Sequence, residues 1–404
     1  MRISKSIAFF LIFSLGTLFA YGWIGSDRYF HKDKPRPVLG SFPVPATFPA
    51  LQRSLESFTA DLKLAMSREN IPGMAFTMVY DGLPVTSAGF GVTDLGDPSP
   101  VDMETIFRLA SLSKGFAPVL VGMLVDEGLI NWDDPLVKYL PDFKLYTEEA
   151  TRQLTVRHIL SHTTGLPRHA YSNLLNMRVP FHDIVRQLRG VPLAHQPGTW
   201  YNYQNVAYSL ISDVVEKVTG IPYDRLLEDR LFKPLGMHSA SVGFENMRKT
   251  ANAAQPHGRS GSSYYRLVLR DSWYDVSPAA GVNASANDLS LWLQLLMGKH
   301  PGLISAESLA EITRQQVAVS PMEGVMRPWR PMDQSAYGLG WRIVEKFGRK
   351  ILFHGGFVNG YRAEIGFCPE EKIGLAILSN GSNYFLRDAL PIFFEQYFTR
   401  LAME

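Results

Sequence analysis

"IFRLASLSKGFAPVLVGMLVDEG", Ile106–Gly128, holds a serine, Ser111, three positions before a lysine, Lys114, where an apolar helix is expected to begin. On a helix, positions i and i+3 share a face, so the Ser111 hydroxyl and the Lys114 amine can come within hydrogen-bond reach. A serine hydroxyl is a weak nucleophile until a base takes its proton. Lysine is such a base only where burial and positive neighbours lower its pKa toward the working pH. A helix start also favours developing negative charge. Behind the pair, "FAPVLVGMLV" reads as a helix running into the core. Ser111 equally suits a plain N-cap, and about one or two Ser-x-x-Lys matches per 400 residues arise by chance. Ser113 is a competing hydroxyl, but it stands next to Lys114 and points to another face.

The totals narrow the setting. The chain has 404 residues, is 46% hydrophobic and carries a formal net charge of +2. That length buries a large core, and a near-balanced charge without Lys/Arg blocks argues against a nucleic-acid partner. A single cysteine, Cys368, excludes a disulfide scaffold and leaves no zinc-type Cys/His spacing. "GFCPEEK" reads as a strand end and a Pro turn, which makes Cys368 structural rather than nucleophilic. No metal site or cofactor is implied. His158 and His162 have i, i+4 spacing but no third ligand or carboxylate beside them, and read as structural.

The first residues look like an address. Arg2 and Lys5 precede the apolar run Ile7–Ile24, the pattern of an export signal. Leu18-Phe19-Ala20 is a poor cleavage site, and the run approaches the ~20 residues a bilayer needs. Residues 1–25 are therefore a signal peptide or an N-terminal membrane anchor, and the rest is expected outside the cytoplasm, periplasmic or held at the inner membrane. Residues 26–50 read as a Pro-rich tether.

From 51 onward the chain reads as one domain. Leu51, Leu55, Phe58, Leu62 and Ala65 mark one helical face. "GMAFTMVYDGLPVTSAGFGV" alternates about an Asp81-Gly82 turn, a hairpin signal. "LTVRHILSHTTGLP" reads as a short helix, and "NVAYSLISDVVEKVTG" as an amphipathic one ending at Gly220. "SANDLSLWLQLLMGKH" is another helix, with Ser285 or Asn287 as its cap. Strands return as hairpins turning at Phe347-Gly348 and Pro369-Glu370, and a helix from about Tyr384 to Leu401 closes the chain. The fold class is α/β (α+β): an antiparallel sheet flanked by helices, with a sheet lobe from about 51–110 and 275–404. A mostly helical lobe, about 111–274, is inserted between.

Two further patterns accompany Ser111 and Lys114. Tyr-x-Asn occurs at Tyr171-Ser172-Asn173 and at Tyr203-Gln204-Asn205; the latter follows Pro197-Gly198 and Tyr201 and runs straight into the amphipathic helix. Lys-or-His, any residue, Gly occurs at His300-Pro301-Gly302, Lys346-Phe347-Gly348 and His354-Gly355-Gly356. The first lies in a loop and the second in a hairpin turn. Only the third follows an apolar strand, where glycines permit close approach to the backbone.

The ordered set Ser-x-x-Lys, Tyr-x-Asn, His-x-Gly resembles the serine β-lactamase and penicillin-binding protein superfamily, nearest its branch of class C β-lactamases, esterases, D-aminopeptidases and D,D-peptidases. The resemblance runs from Leu51 to the C-terminus, and the frame around Tyr203 matches the family's better than that around Tyr171. It implies the β-lactamase/transpeptidase-like fold and an acyl-enzyme on Ser111, with Lys114 and Tyr203 sharing the proton transfers. Asn205 would hydrogen-bond a substrate amide and steady Lys114, His354 and Gly356 would bind substrate, and the backbone N–H groups of Ser111 and Phe357 would form an oxyanion hole. The expected partner is a small molecule or peptide: an ester, an amide, a D-amino-acid peptide, a peptidoglycan fragment or a β-lactam. One departure matters: histidine at 354 is mostly neutral at pH 7, where lysine would be a fixed cation. That weakens a dedicated β-lactamase and strengthens esterase, amidase and D-peptidase readings. A non-catalytic penicillin-binding-like module is the alternative, against which the intact Ser111, Lys114 and Tyr203 argue.

Overall fold

The computed structural model describes residues 38–41 and 48–404. The expected leader, 1–25, and most of the expected tether lie outside the described residues. Within the tether range, Val38–Ser41 (β1) is paired antiparallel along residues 86–89. "VLGS" is a short apolar run between prolines, and the exposed edge of the sheet supplies its ladder partners.

Helix α1, Pro49–Glu69, buries Leu51, Phe58, Leu62 and Ala65, the stripe the periodicity predicts. Strands β2 (Gly73–Tyr80) and β3 (Leu83–Gly91) close through Asp81 and Gly82, both at positive φ. That is the backbone a tight hairpin requires, and the Asp-Gly pair tolerates it. Helix α2, Phe116–Asp126, is buried at every position from 116 to 124. A helix apolar all round belongs in the middle of a core. Helix α3, Val206–Thr219, ends on Gly220 in the left-handed conformation. Helix α4, Ala286–Leu296, is capped by Ser285, whose hydroxyl accepts from the Asp288 N–H while Asp288 accepts from the Ser285 N–H.

Six strands complete the main sheet: β4 (Val317–Ala318), β5 (Gln334–Tyr337), β6 (Arg342–Lys346), β7 (Arg349–Val358), β8 (Tyr361–Cys368) and β9 (Ile373–Ser379). With β1–β3 they make one sheet, in the order β1-β3-β2-β9-β8-β7-β6-β5-β4, antiparallel throughout. The N-terminal hairpin therefore joins the C-terminal strands through β2 and β9, with Tyr80 opposite Ile373. Helix α5, Phe385–Leu401, packs with α1 on one face, where Phe58, Phe76, Ile377, Phe393 and Phe394 meet. Helices α2 and α4 cover the other face, against Leu378, Ala376 and Ile365. Because both faces are covered, β9 is buried at every residue and reads as one continuous apolar run.

A hairpin the sequence did not announce, His257–Ser260 with Ser263–Arg266, packs beside the end of β9. It is held there by the Tyr264 hydroxyl on Ser382 O, 2.7 Å, and by the His257 N–H on Asn380 O. Its short polar strands carry no apolar alternation. Among the described residues no helix is long and apolar enough to cross a membrane.

Candidate active site

Ser111 and Lys114 do not start the α-helix. They lie in a 3-10 turn, Ala110–Gly115, that precedes α2, and Ser111 makes no capping bond. The N-cap alternative is thereby removed, and the pairing is tightened: at about three residues per turn, i and i+3 eclipse one another. Ala110, just before the serine, sits at φ 50°, strain of the kind that persists where surrounding structure over-determines the backbone. Ser113 faces elsewhere, its hydroxyl accepting from the Val282 N–H at 3.0 Å.

Lys114 is fully buried. Its Nζ lies 2.8 Å from Asn205 Oδ1, 3.0 Å from Ala279 O and 3.4 Å from Ser111 Oγ. No carboxylate pairs with it among the described residues. Burial, and then the Arg342 guanidinium, hold its pKa well below the ordinary lysine value.

Tyr203 stands between Lys114 and Arg342. Lys114 Nζ lies 4.8 Å and the Arg342 Cζ 5.3 Å from its ring centroid. Burial raises its hydroxyl, while Arg342 and the nearby Ser111 hydroxyl act the other way. His162 braces this ring at 4.3 Å between centroids and accepts from the Gln204 N–H, which sets the loop carrying Tyr203. His158 closes a capping box with Thr155. Both histidines thus have structural partners, and among the described residues no cluster of three His, Cys, Asp or Glu side chains could hold a metal.

Asn205 directly precedes α3. Its Oδ1 accepts from Lys114 and its Nδ2 donates to Ser172 Oγ at 3.3 Å. The expected substrate-binding amide is therefore engaged within the protein, and Asn205 orients Lys114. The competing Tyr171-Ser172-Asn173 lies alongside: Ser172 is the partner of Asn205, and Asn173 is exposed.

His354 also differs from expectation. It is fully enclosed; Nδ1 faces Gly355 O at 2.9 Å, so it carries the proton, and Nε2 accepts from the Tyr337 hydroxyl at 3.4 Å. Burial, then Arg342 and Lys114, push its pKa well down. It forms the floor of the site as a neutral ring. Gly356 turns out to make room for the nucleophile: a Cβ there would lie 2.2 Å from Leu109 O and 3.1 Å from Ser111 N. Phe357 lies one residue on. Val358 and Tyr361 close a two-residue turn at Asn359-Gly360, so bonded pairs alternate along β7 and β8, and Phe357 directs its N–H away from β8. Past Phe353 that edge of β7 carries no strand, and the Ser111 turn adjoins it. The Phe357 side chain is 60% exposed.

The sequence reading missed Arg342, Ala279 O, Ser172 and His169. His169 packs on Tyr203 and places Nδ1 3.5 Å from Asn205 Nδ2. Burial, then Arg168 and Lys114, lower its pKa to about 4. The available signal was for Arg342: a lone cation at a buried position of the strand "WRIV". Lys346 pairs with Glu395 and His300 lies after α4, away from these residues. Cys368 is buried with its thiol pushed up to about 12, chiefly by burial, and is no nucleophile.

The fold and this serine-lysine-tyrosine cluster define a class. The chain belongs to the Beta-lactamase family, whose profile matches residues 58–392. It is 27% identical over 337 residues to the "Unguisins hydrolase ungD'" of Aspergillus campestris, covering 81% of this chain and 61% of that protein. The chain thus spans about three-fifths of the curated relatives' length. Among solved structures, the octameric penicillin-binding protein homologue from Pyrococcus abyssi superposes with a TM-score of 0.74 at 24% identity, covering 85% of this chain and 77% of that one. The D-amino acid amidase from Ochrobactrum anthropi SV3 gives 0.68 at 20% identity, covering 87% and 98%. These likenesses confirm the β-lactamase/transpeptidase-like fold.

Proposed function

We propose that the protein is an active-site serine hydrolase that acylates Ser111 with a small ester, an amide or a D-amino-acid peptide. One observation carries the reading. A neutral lysine has two N–H groups and one lone pair, and Asn205 Oδ1 and Ala279 O take up the two N–H groups of Lys114. The lone pair is left for the Ser111 hydroxyl, the remaining neighbour at 3.4 Å. Burial without a carboxylate partner shifts the amine toward that form.

In the forward step Ser111 Oγ bonds to the substrate carbonyl carbon and its proton passes to Lys114, with the Tyr203 ring packed beside the amine. The carbonyl oxygen becomes an oxyanion facing the N–H groups of Ser111 and Phe357, a contact whose loss typically costs about 3–4 kcal/mol. Collapse breaks the bond to the leaving group, which takes the proton from the Lys114–Tyr203 pair. Water then repeats the sequence on the acyl-enzyme and frees Ser111. Amide and ester substrates are favoured over β-lactams because the neutral, enclosed His354 offers no cation to a substrate carboxylate. A relative named for hydrolysing unguisins and a structural neighbour named as a D-amino acid amidase support the same choice. The apolar run Ile7–Ile24 supports a place outside the cytoplasm.

Intact mass after exposure to a fluorophosphonate, an activated short-chain ester and a labelled penicillin tests the proposal. An adduct that disappears in Ser111→Ala is expected with the first two reagents. Absence of any adduct on the wild type would refute acyl-enzyme chemistry, and turnover of D-aminoacyl amides against esters then ranks the substrates.

A further inference from the structure

Arg342 is an arginine buried to within 6% of full enclosure, on the strand beside His354. Among the described residues it forms no ion pair, and its Nε has no hydrogen-bond partner. Its guanidinium shares the Tyr203 ring with the Lys114 amine, at 5.3 and 4.8 Å from the centroid. We infer that Arg342 is a positioning residue that supplies this site's fixed positive charge, in place of the cation that the neutral His354 does not provide, and that it acts on Lys114 and Tyr203 through space.

Two cations sharing one ring in a buried site cannot both keep their protons cheaply. Guanidinium does not deprotonate in proteins, whereas a buried ammonium does so readily. Lys114 is therefore the one that yields. Arg342 keeps its own charge: burial opposes it, but guanidinium does not deprotonate in proteins and its pKa is not lowered here.

The groups facing the two cations are Tyr201, Tyr203, Tyr208, Tyr337, His162, His169, His354, Glu364 and Arg168. The three histidines are held neutral by burial, and burial raises the tyrosines. Arg168 is paired with Glu323, and Glu364 with Arg362. Arg342 is thus the unneutralised permanent charge of the cluster. Because it also lies on the Tyr203 ring, its effect has one sign whether lysine or tyrosine takes the serine proton.

The inference rests on the acyl-enzyme reading and is tested through it. The second-order rate at which a fluorophosphonate labels Ser111 is followed from pH 5 to 11 in the wild type, Arg342→Met and Arg342→Lys, with thermal melts confirming folding. In Arg342→Met the acid limb should move to higher pH by about one unit or more, a roughly tenfold loss below the limb, with recovery toward the wild-type rate at alkaline pH. Arg342→Lys should place its limb between those of the wild type and Arg342→Met, because a buried ammonium yields the proton that guanidinium keeps. Arg342→Gln provides the same comparison if the methionine variant does not fold. A uniform loss of rate with the limb unmoved would overturn the inference and leave Arg342 a packing or substrate-contact residue. Failure of the wild type to label at any pH would overturn the acyl-enzyme reading with it.

Discussion

Lys114 Nζ and Asn205 Oδ1 are 2.8 Å apart, a bond between residues 91 positions distant in the chain. With the Ala279 carbonyl on the other side, it fixes where the amine's lone pair points. A base with that orientation needs no further tuning by its neighbours beyond their charge.

Replacing Asn205 by Asp exchanges a neutral acceptor for a carboxylate and reverses the electrostatics. An adjacent negative charge favours the ammonium form, so the folded-state pKa of Lys114 rises. Ser111 labelling at pH 7 should fall by about 10²–10⁴-fold. Activity should climb again as pH rises, through a limb shifted upward from wild type. Asn205→Ala should lose rate with a much smaller shift. Rate against pH separates the two; coincident limbs for Asp and Ala would argue that Asn205 does not control the charge on Lys114.

The two glycines of His354-Gly355-Gly356 should respond differently to alanine. At Gly356 a Cβ meets the Leu109 carbonyl at 2.2 Å, a backbone atom of the turn that carries Ser111. At Gly355 it meets the Glu364 carboxylate, the far end of a side chain rather than backbone, at 2.6 Å. Gly356→Ala should cost about 1–3 kcal/mol in stability, as overpacking does, and displace the nucleophile. Labelling should then fall by about a hundredfold. Gly355→Ala should fall closer to the wild type in both melting temperature and labelling rate. Equal behaviour of the two would show that the Leu109–Ser111 turn is free to move.

Glu364 makes stability depend on pH. Burial raises its carboxyl to about 7, against the pull of Arg362 and Arg342. A folded-state pKa above the unfolded one means that the native protein binds the extra proton, so stability declines as pH rises from the ordinary carboxylate range to about 7. Glu364→Gln removes that slope. Relative to the wild type, its melting temperature should gain between pH 5 and 8, by the equivalent of about 3 kcal/mol at most. A difference that is the same at every pH would mean that Glu364 ionises at an ordinary value in the folded chain.

Much of the fold is local enough to be read directly. Asp81-Gly82 and Phe347-Gly348 both form positive-φ turns at the hairpin positions expected, each with a glycine second, and the stripe Leu51, Phe58, Leu62, Ala65 is the buried face of α1. Ser285 and Gly220 cap the helices expected of them. The hairpin at 257–266 escaped notice because its strands are held by hydrogen bonds from distant loops, with no apolar period of their own. Helix α2 begins at Phe116, after Ser111–Lys114: that pair has helical spacing, but it lies in a 3-10 turn whose Leu109 carbonyl abuts Gly356.

The sequence by itself determined the reactive types and their order: a serine and lysine one turn apart, a tyrosine and asparagine at a loop-to-helix junction, and a histidine with two glycines on a strand. Spacing along one chain is sufficient for that, because i and i+3 meet on any helix. Only the tertiary structure decided which of these side chains are enclosed and which protein groups they meet. Asn205 and His354, both expected to bind substrate, are turned inward by partners at 114, 172, 337 and 355. The cation near the floor comes from Arg342 on the neighbouring strand. Charge states depend on burial and on every nearby dipole in three dimensions, and those neighbours are contributed by segments far apart in the chain.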